Sequence, residues 1–280
     1  MFDMRYHIAS LGAVFLALTV GLLLGSLLVD SGALTKRQAK LMESINKDVE
    51  SVLTHNNELE KEVTELKTFQ DQVWQAAVKG RLADKRILVV SFASDQEDVF
   101  NDVSTAVSKA GADSAYMTIS VKKEDLGNTD LINRLSASTN SSITVETFDS
   151  YLWERISDEV SGREPIALLS ALSNNDLIKI DDQSVLPVDG FIVLASPEGS
   201  ENEFDTKILR AFKSTGQPVV AAETSDLDPS RIGVFQLASI STIDNIETVS
   251  GWISAIYLLQ ESSTKANFGI KPTADRLLPQ

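Results

Sequence analysis

Arg86-Ile-Leu-Val-Val-Ser-Phe92 is a short, continuous apolar run, the pattern of a strand buried on both faces. A helical pattern follows from Gln96 to Ala110 and closes on Gly111, and Ser114 to Val121 then reads as another strand. This strand-helix-strand grammar returns downstream. Gly190-Phe-Ile-Val-Leu-Ala195 is a strand, Asn202 to Ser214 a helix ended by Gly216, and Pro218 to Ala222 and Val234 to Ile240 are strands before a last helix from Ile246 to Gln260. Strands alternating with helices predict an α/β domain over residues 81–280, built on a parallel sheet with helices on both faces. Residues 122–188 are mostly helical in pattern and read as an insertion or a cap over the sheet.

In an open parallel sheet, ligands bind beyond the carboxyl ends of the strands. Here that crevice falls at Ser94 and Asp95, at Ser196 to Ser200 with Glu198 among them, and at Glu223 to Asp226. No phosphate-binding signature occurs in these turns: the first strand-helix turn has no glycine, and Gly199 stands alone. The acidic residues Asp95 and Asp244 are expected to be helix N-caps that accept from free amides.

The chemistry of the domain is narrow. The 280-residue chain has no cysteine and two histidines, His7 and His55, both upstream of the domain. That removes Ser-His-Asp and Cys-His nucleophilic sites, histidine-ligated zinc and zinc-thiolate centres, and the expectation is a non-enzyme without a cofactor. Of the net charge of −15, −13 belongs to residues 81–280, where 17 basic side chains face 30 acidic ones. Such a surface repels nucleic acid and anionic lipid.

Upstream, a heptad pattern occupies residues 34–80. Ile45, Val52, Leu59, Leu66 and Val73 recur every seven residues as d positions, and Val49, Asn56, Val63, Gln70 and Ala77 follow each by four as a positions. The span predicts a coiled-coil rod of about 50 Å. Asn56 at an a position favours an in-register parallel homodimer. Glu62 at g and Lys67 at the following e suit an interchain ion pair worth only a few tenths of a kcal/mol when exposed. The same pattern also suits a lone amphipathic helix folded back on the domain. His55 falls at a solvated g position.

Further upstream, residues 8–29 contain no ionisable side chain. As a helix this segment spans about 33 Å, enough to cross a hydrocarbon core of roughly 30 Å. Leu28-Val29-Asp30-Ser31 makes a poor signal-peptide cleavage site, so the segment reads as an uncleaved anchor. Ala9, Ala13, Ala17, Gly21 and Gly25 sit at four-residue spacing and predict a seam along which a second membrane helix can approach closely. Orientation is not decided by charge, because Arg5 lies on one side and Lys36, Arg37 and Lys40 on the other.

Arg5-Tyr6-His7, the run Ser10-Leu-Gly-Ala-Val-Phe-Leu-Ala-Leu18 and Gly21-Leu-Leu-Leu-Gly25 resemble the amino terminus of the actinobacterial copper transport protein B family. Thr242-Ile-Asp-Asn-Ile-Glu-Thr248 with Gly251, Phe268-Gly-Ile-Lys271 and Leu277-Leu-Pro279 are similar to that family's carboxyl-terminal part. The resemblance implies a single-pass protein of the plasma membrane, with its carboxyl domain outside it, linked to copper homeostasis or efflux and described as channel-forming. The residues themselves point elsewhere. A barrel needs strands of about 9–11 residues with an apolar outer band. Copper binding favours thiolate, thioether or imidazole, and Met1, Met4, Met42 and Met117 do not cluster in the sequence. The alternative is a dimeric coiled-coil scaffold that binds an unidentified envelope protein in cell-envelope assembly or division.

Overall fold

The computed structural model describes residues 4–30, 33–92, 96–195, 204–260 and 265–279. They fall into two compact units, Met1–Thr68 and Phe69–Gln280. The first holds helix α1 (Met4–Asp30) and most of α2 (Ala33–Val78). Met4–Leu27 is long and apolar enough to cross a membrane, and its apolar side chains are exposed, as a surface meant for lipid or another helix would be.

The second unit is built on a seven-stranded sheet in the order β3-β2-β1-β4-β5-β6-β7. The strands are β1 (Arg86–Ser91), β2 (Asp113–Ile119), β3 (Ile178–Ile180), β4 (Gly190–Leu194), β5 (Val219–Ala222), β6 (Ser241–Ile243) and β7 (Asn267–Phe268). Every pairing is parallel except β2 with β3. The expected α/β architecture and its parallel-dominated sheet are thus present.

Alternation along the strands divides the core in two. Leu88 and Val90 of β1 face one side with Met117, Phe191 and Val193, under α4 (Thr129–Thr139), α5 (Val145–Val160), α6 (Leu168–Ser173) and α7 (Phe204–Ser214). Ile87 and Val89 face the other with Ile192 and Leu194, under α3 (Glu97–Lys109) and α9 (Val249–Gln260). Burial on both faces explains why these strands are apolar at every position rather than at alternate ones.

Residues 122–188 supply α4, α5 and α6, and they pack on one face of the sheet before β3 returns along its edge. A buried carboxylate organises this layer. Glu159 of α5 accepts from the amides of Ala167, Leu168 and Leu169 at 2.8–3.0 Å, capping the start of α6, while Arg155 Nε closes on it at 2.8 Å. The last turns of α2 also belong to this unit: Trp74 and Val78 are buried in the second core, and Trp74 meets Trp252 of α9 edge to face at 5.4 Å.

One expected strand is a helix. The first part of Val234 to Ile240 belongs to α8 (Ile232–Leu237), and the strand begins only at Ser241. The β-branched residues suggested a strand, but burial runs at helical spacing: Ile232 and Phe235 are buried, whereas Val234 and Leu237 are exposed. Ser239 at φ 58° then turns the chain into β6.

Candidate functional site

Of the residues expected to line the crevice, Asp95, Ser196 and Glu198 lie outside the described residues. What bridges the first and fourth strands nearby is Gln96, which accepts from Ser91 Oγ and donates through Nε2 to the Ala195 carbonyl at 2.9 Å. Glu223 and Asp226 part company: Asp226 is exposed, and Glu223, immediately after β5, is buried.

Glu223 is the centre of a filled site. Its carboxylate accepts from Lys271 Nζ at 2.6 Å, Ser230 Oγ at 2.6 Å and the Arg231 amide at 2.7 Å. Lys271 Nζ donates again to the Leu227 carbonyl at 2.9 Å. Arg231 turns the other way, and its Nη2 lies 2.9 and 3.1 Å from the two oxygens of Asp205 at the start of α7. Burial pushes the Asp205 carboxyl above its ordinary range, and the facing Arg231 guanidinium opposes that rise.

Asp244 completes the arrangement, and here the expectation of an N-cap fails. Thr248 precedes α9 and accepts from the Gly251 amide at 3.1 Å, the role expected of Asp244. Asp244 instead follows β6 and accepts from the amides of Ile270 and Lys271 at 2.7 and 3.0 Å. The segment after β7 is thereby tied to the carboxyl ends of β5 and β6 by two buried carboxylates. Gly269, at φ +147°, permits this approach, since a Cβ there would overlap the Asp244 carboxylate. Gly251 has a parallel role, because a Cβ would overlap the Asn245 carbonyl.

Chemically, this network is a latch. Each of these carboxylates is engaged by internal donors. Among the described residues no group of three or more histidines, aspartates and glutamates is placed to hold a metal ion. Met117 is fully buried in the core, and His7 and His55 belong to the other unit. A separate cavity of about 400 Å³ lies beside β2 and β3, with Phe100 and Tyr116 stacked at 4.7 Å in its wall and Glu97, Asp176, Lys179 and Asp181 around it.

The latch was not evident from spacing, although some of its residues sit in the motifs that carry the family resemblance: Asp244 and Gly251 in one, Gly269 and Lys271 in the other. The clue was an acidic residue directly after each of two neighbouring strands, Glu223 and Asp244, with one lysine in the carboxyl-terminal motif.

The remaining site expectations concern the two long helices. Ala9, Ala13, Ala17, Gly21 and Gly25 lie on α1, and a Cβ built at Gly21 or Gly25 meets nothing within 4 Å. Ile45, Val49, Val52, Asn56, Leu59, Val63, Leu66 and Val73 all lie on α2 and are exposed in the single chain.

No curated protein matches this sequence. A family described as "Copper transport outer membrane protein, MctB" matches residues 1–279. With essentially the whole chain matched, from the membrane-helix motif to the carboxyl-terminal latch, this protein belongs to the MctB copper transport family.

Proposed function

We propose that this chain is a non-catalytic, single-pass envelope protein that serves copper homeostasis or efflux through a protein partner, without itself forming a pore or carrying copper. Residues 8–29 anchor it in the plasma membrane, the heptads of residues 34–80 pair two copies in parallel as a stalk, and the α/β domain stands outside the membrane. The family description supports the copper link, and the apolar helix supports the anchor.

One observation supports the reading without a pore. The seven strands are two to seven residues long, and both faces of the sheet are covered by helices, whereas a barrel strand needs about 9–11 residues and an apolar face open to lipid. The donor set argues against a copper-carrying domain in the same way: without thiolate, with its methionine buried and without histidine, the second unit offers copper only hard carboxylate oxygen.

A second reading, a dimeric scaffold for envelope assembly or division without a copper role, draws on the exposed heptad stripe and the closed latch. Growth of a strain lacking the chain separates the two. Lowered copper tolerance with an intact envelope in copper-poor medium supports the copper role. Unchanged tolerance with envelope defects in copper-poor medium overturns it in favour of the scaffold.

A further inference from the structure

The last turns of α2 use two different faces. Val73 and Ala77, the final d and a residues of the heptads, are exposed, whereas their immediate successors Trp74 and Val78 are buried against the chain's own domain. Successive residues on a helix lie about 100° apart. Docking on α9 therefore leaves Val73 and Ala77 of the heptad face uncovered. Phe69, one turn before Val73, is 65 % exposed and has no explanation within the single chain.

The register supplies one. Phe69 is a g position and Trp74 the e position five residues later, the relationship that in a parallel coiled coil brings g of one chain beside e of the other. Glu62 and Lys67 stand in that same relationship one heptad earlier. Trp74 is already paired with the half-buried Trp252 at 5.4 Å. We infer that the dimer seam continues to the end of α2, where Phe69 of each copy covers the Trp74–Trp252 pair of the other, so that the second copy completes an aromatic cluster linking stalk and domain. This rests on the parallel dimer proposed above. Aromatic pairs of this kind favour edge or offset contacts, and a ring at g adds a contact that a charged residue there cannot.

The chain has no native cysteine, so single cysteines report unambiguously. Val52→Cys, Val73→Cys and Gln75→Cys, the last at the outward f position, are oxidised in the full-length protein in membranes. Disulfides need Cα atoms within about 7 Å, which paired d positions satisfy and paired f positions do not. The expected result is dimer cross-linking at 52 and 73, at least about tenfold above that at 75. Adding Phe69→Ala should lower cross-linking at 73 several-fold with 52 unaffected, and Phe69→Tyr should restore it. Linking at 52 without linking at 73 overturns this inference and leaves the stalk dimer standing. Linking at neither overturns both. Linking at 73 that Phe69→Ala does not change removes the aromatic contact.

Discussion

Lys271 Nζ lies 2.6 Å from Glu223 Oε1, a pair 48 residues apart in sequence whose carboxylate is wholly buried and whose ammonium is 17 % exposed. The pair joins the end of β5 to the segment after β7, so it works as a clasp on the carboxyl terminus. Replacing one member of a buried pair strands the other charge and costs about 3–5 kcal/mol. Lys271→Met and Glu223→Gln should each destabilise the protein by that amount in urea unfolding. The double variant should lose less than the sum of the two, because they share one interaction.

The glycine beside the clasp makes a sharper prediction. Gly269→Ala forces a Cβ onto the Asp244 carboxylate, whereas Gly216, at φ +76°, has nothing within 4 Å of a built Cβ. Gly216→Ala should therefore cost only the strain of a left-handed backbone, about 1–2 kcal/mol. Gly269→Ala should cost more, because it also displaces the acceptor of the Ile270 and Lys271 amides. Thermal melts of the two variants side by side give the comparison.

Asp205 gives a pH dependence. Its carboxyl is raised by burial against the opposing pull of Arg231, so the folded state holds its proton to higher pH than the unfolded chain does. The associated stability is full below the ordinary carboxylate value of about 4 and is lost as pH rises through the higher folded value. Relative to Asp205→Asn, the native protein should gain stability as pH falls through this range. Urea midpoints of both proteins from acid to neutral pH measure it, and parallel curves would contradict the assignment.

The proposed stalk can be tested at Asn56, a polar a residue, with a charge-neutral change. Asn56→Leu should raise the melting temperature of the helical signal and broaden the distribution of oligomers, since a buried amide at a selects the parallel pair at the expense of stability. Circular dichroism and mass by light scattering report the two effects. An unchanged melt and mass would argue that Asn56 is not in the seam.

Much of this architecture was legible in the sequence because it depends on local period. The continuous apolar runs 86–92 and 190–195 gave strands that are buried on both faces, and Gly111 and Gly216, both at positive φ, marked the turns that close helices. Legibility failed where burial overrode propensity, as in α8, whose β-branched residues face solvent and core at helical spacing. It failed again at Asp244, where a carboxylate just before a helix looked like a cap although Thr248 takes that place. The pairing of Glu223 with Lys271 was out of reach, because no local pattern encodes a contact across 48 residues. Three of the five crevice residues, Asp95, Ser196 and Glu198, fall outside the described structure.

We propose that this member of a copper transport family acts through a partner and not by holding copper. It is tested most directly by titrating the purified full-length protein with Cu(I) under reducing and Cu(II) under oxidising conditions, by calorimetry, while its mass is followed by light scattering. The expected result is a dimer with no stoichiometric binding tighter than about 1 μM, a free energy of roughly −8 kcal/mol. Tighter stoichiometric binding of either ion would contradict it and assign copper directly to this chain.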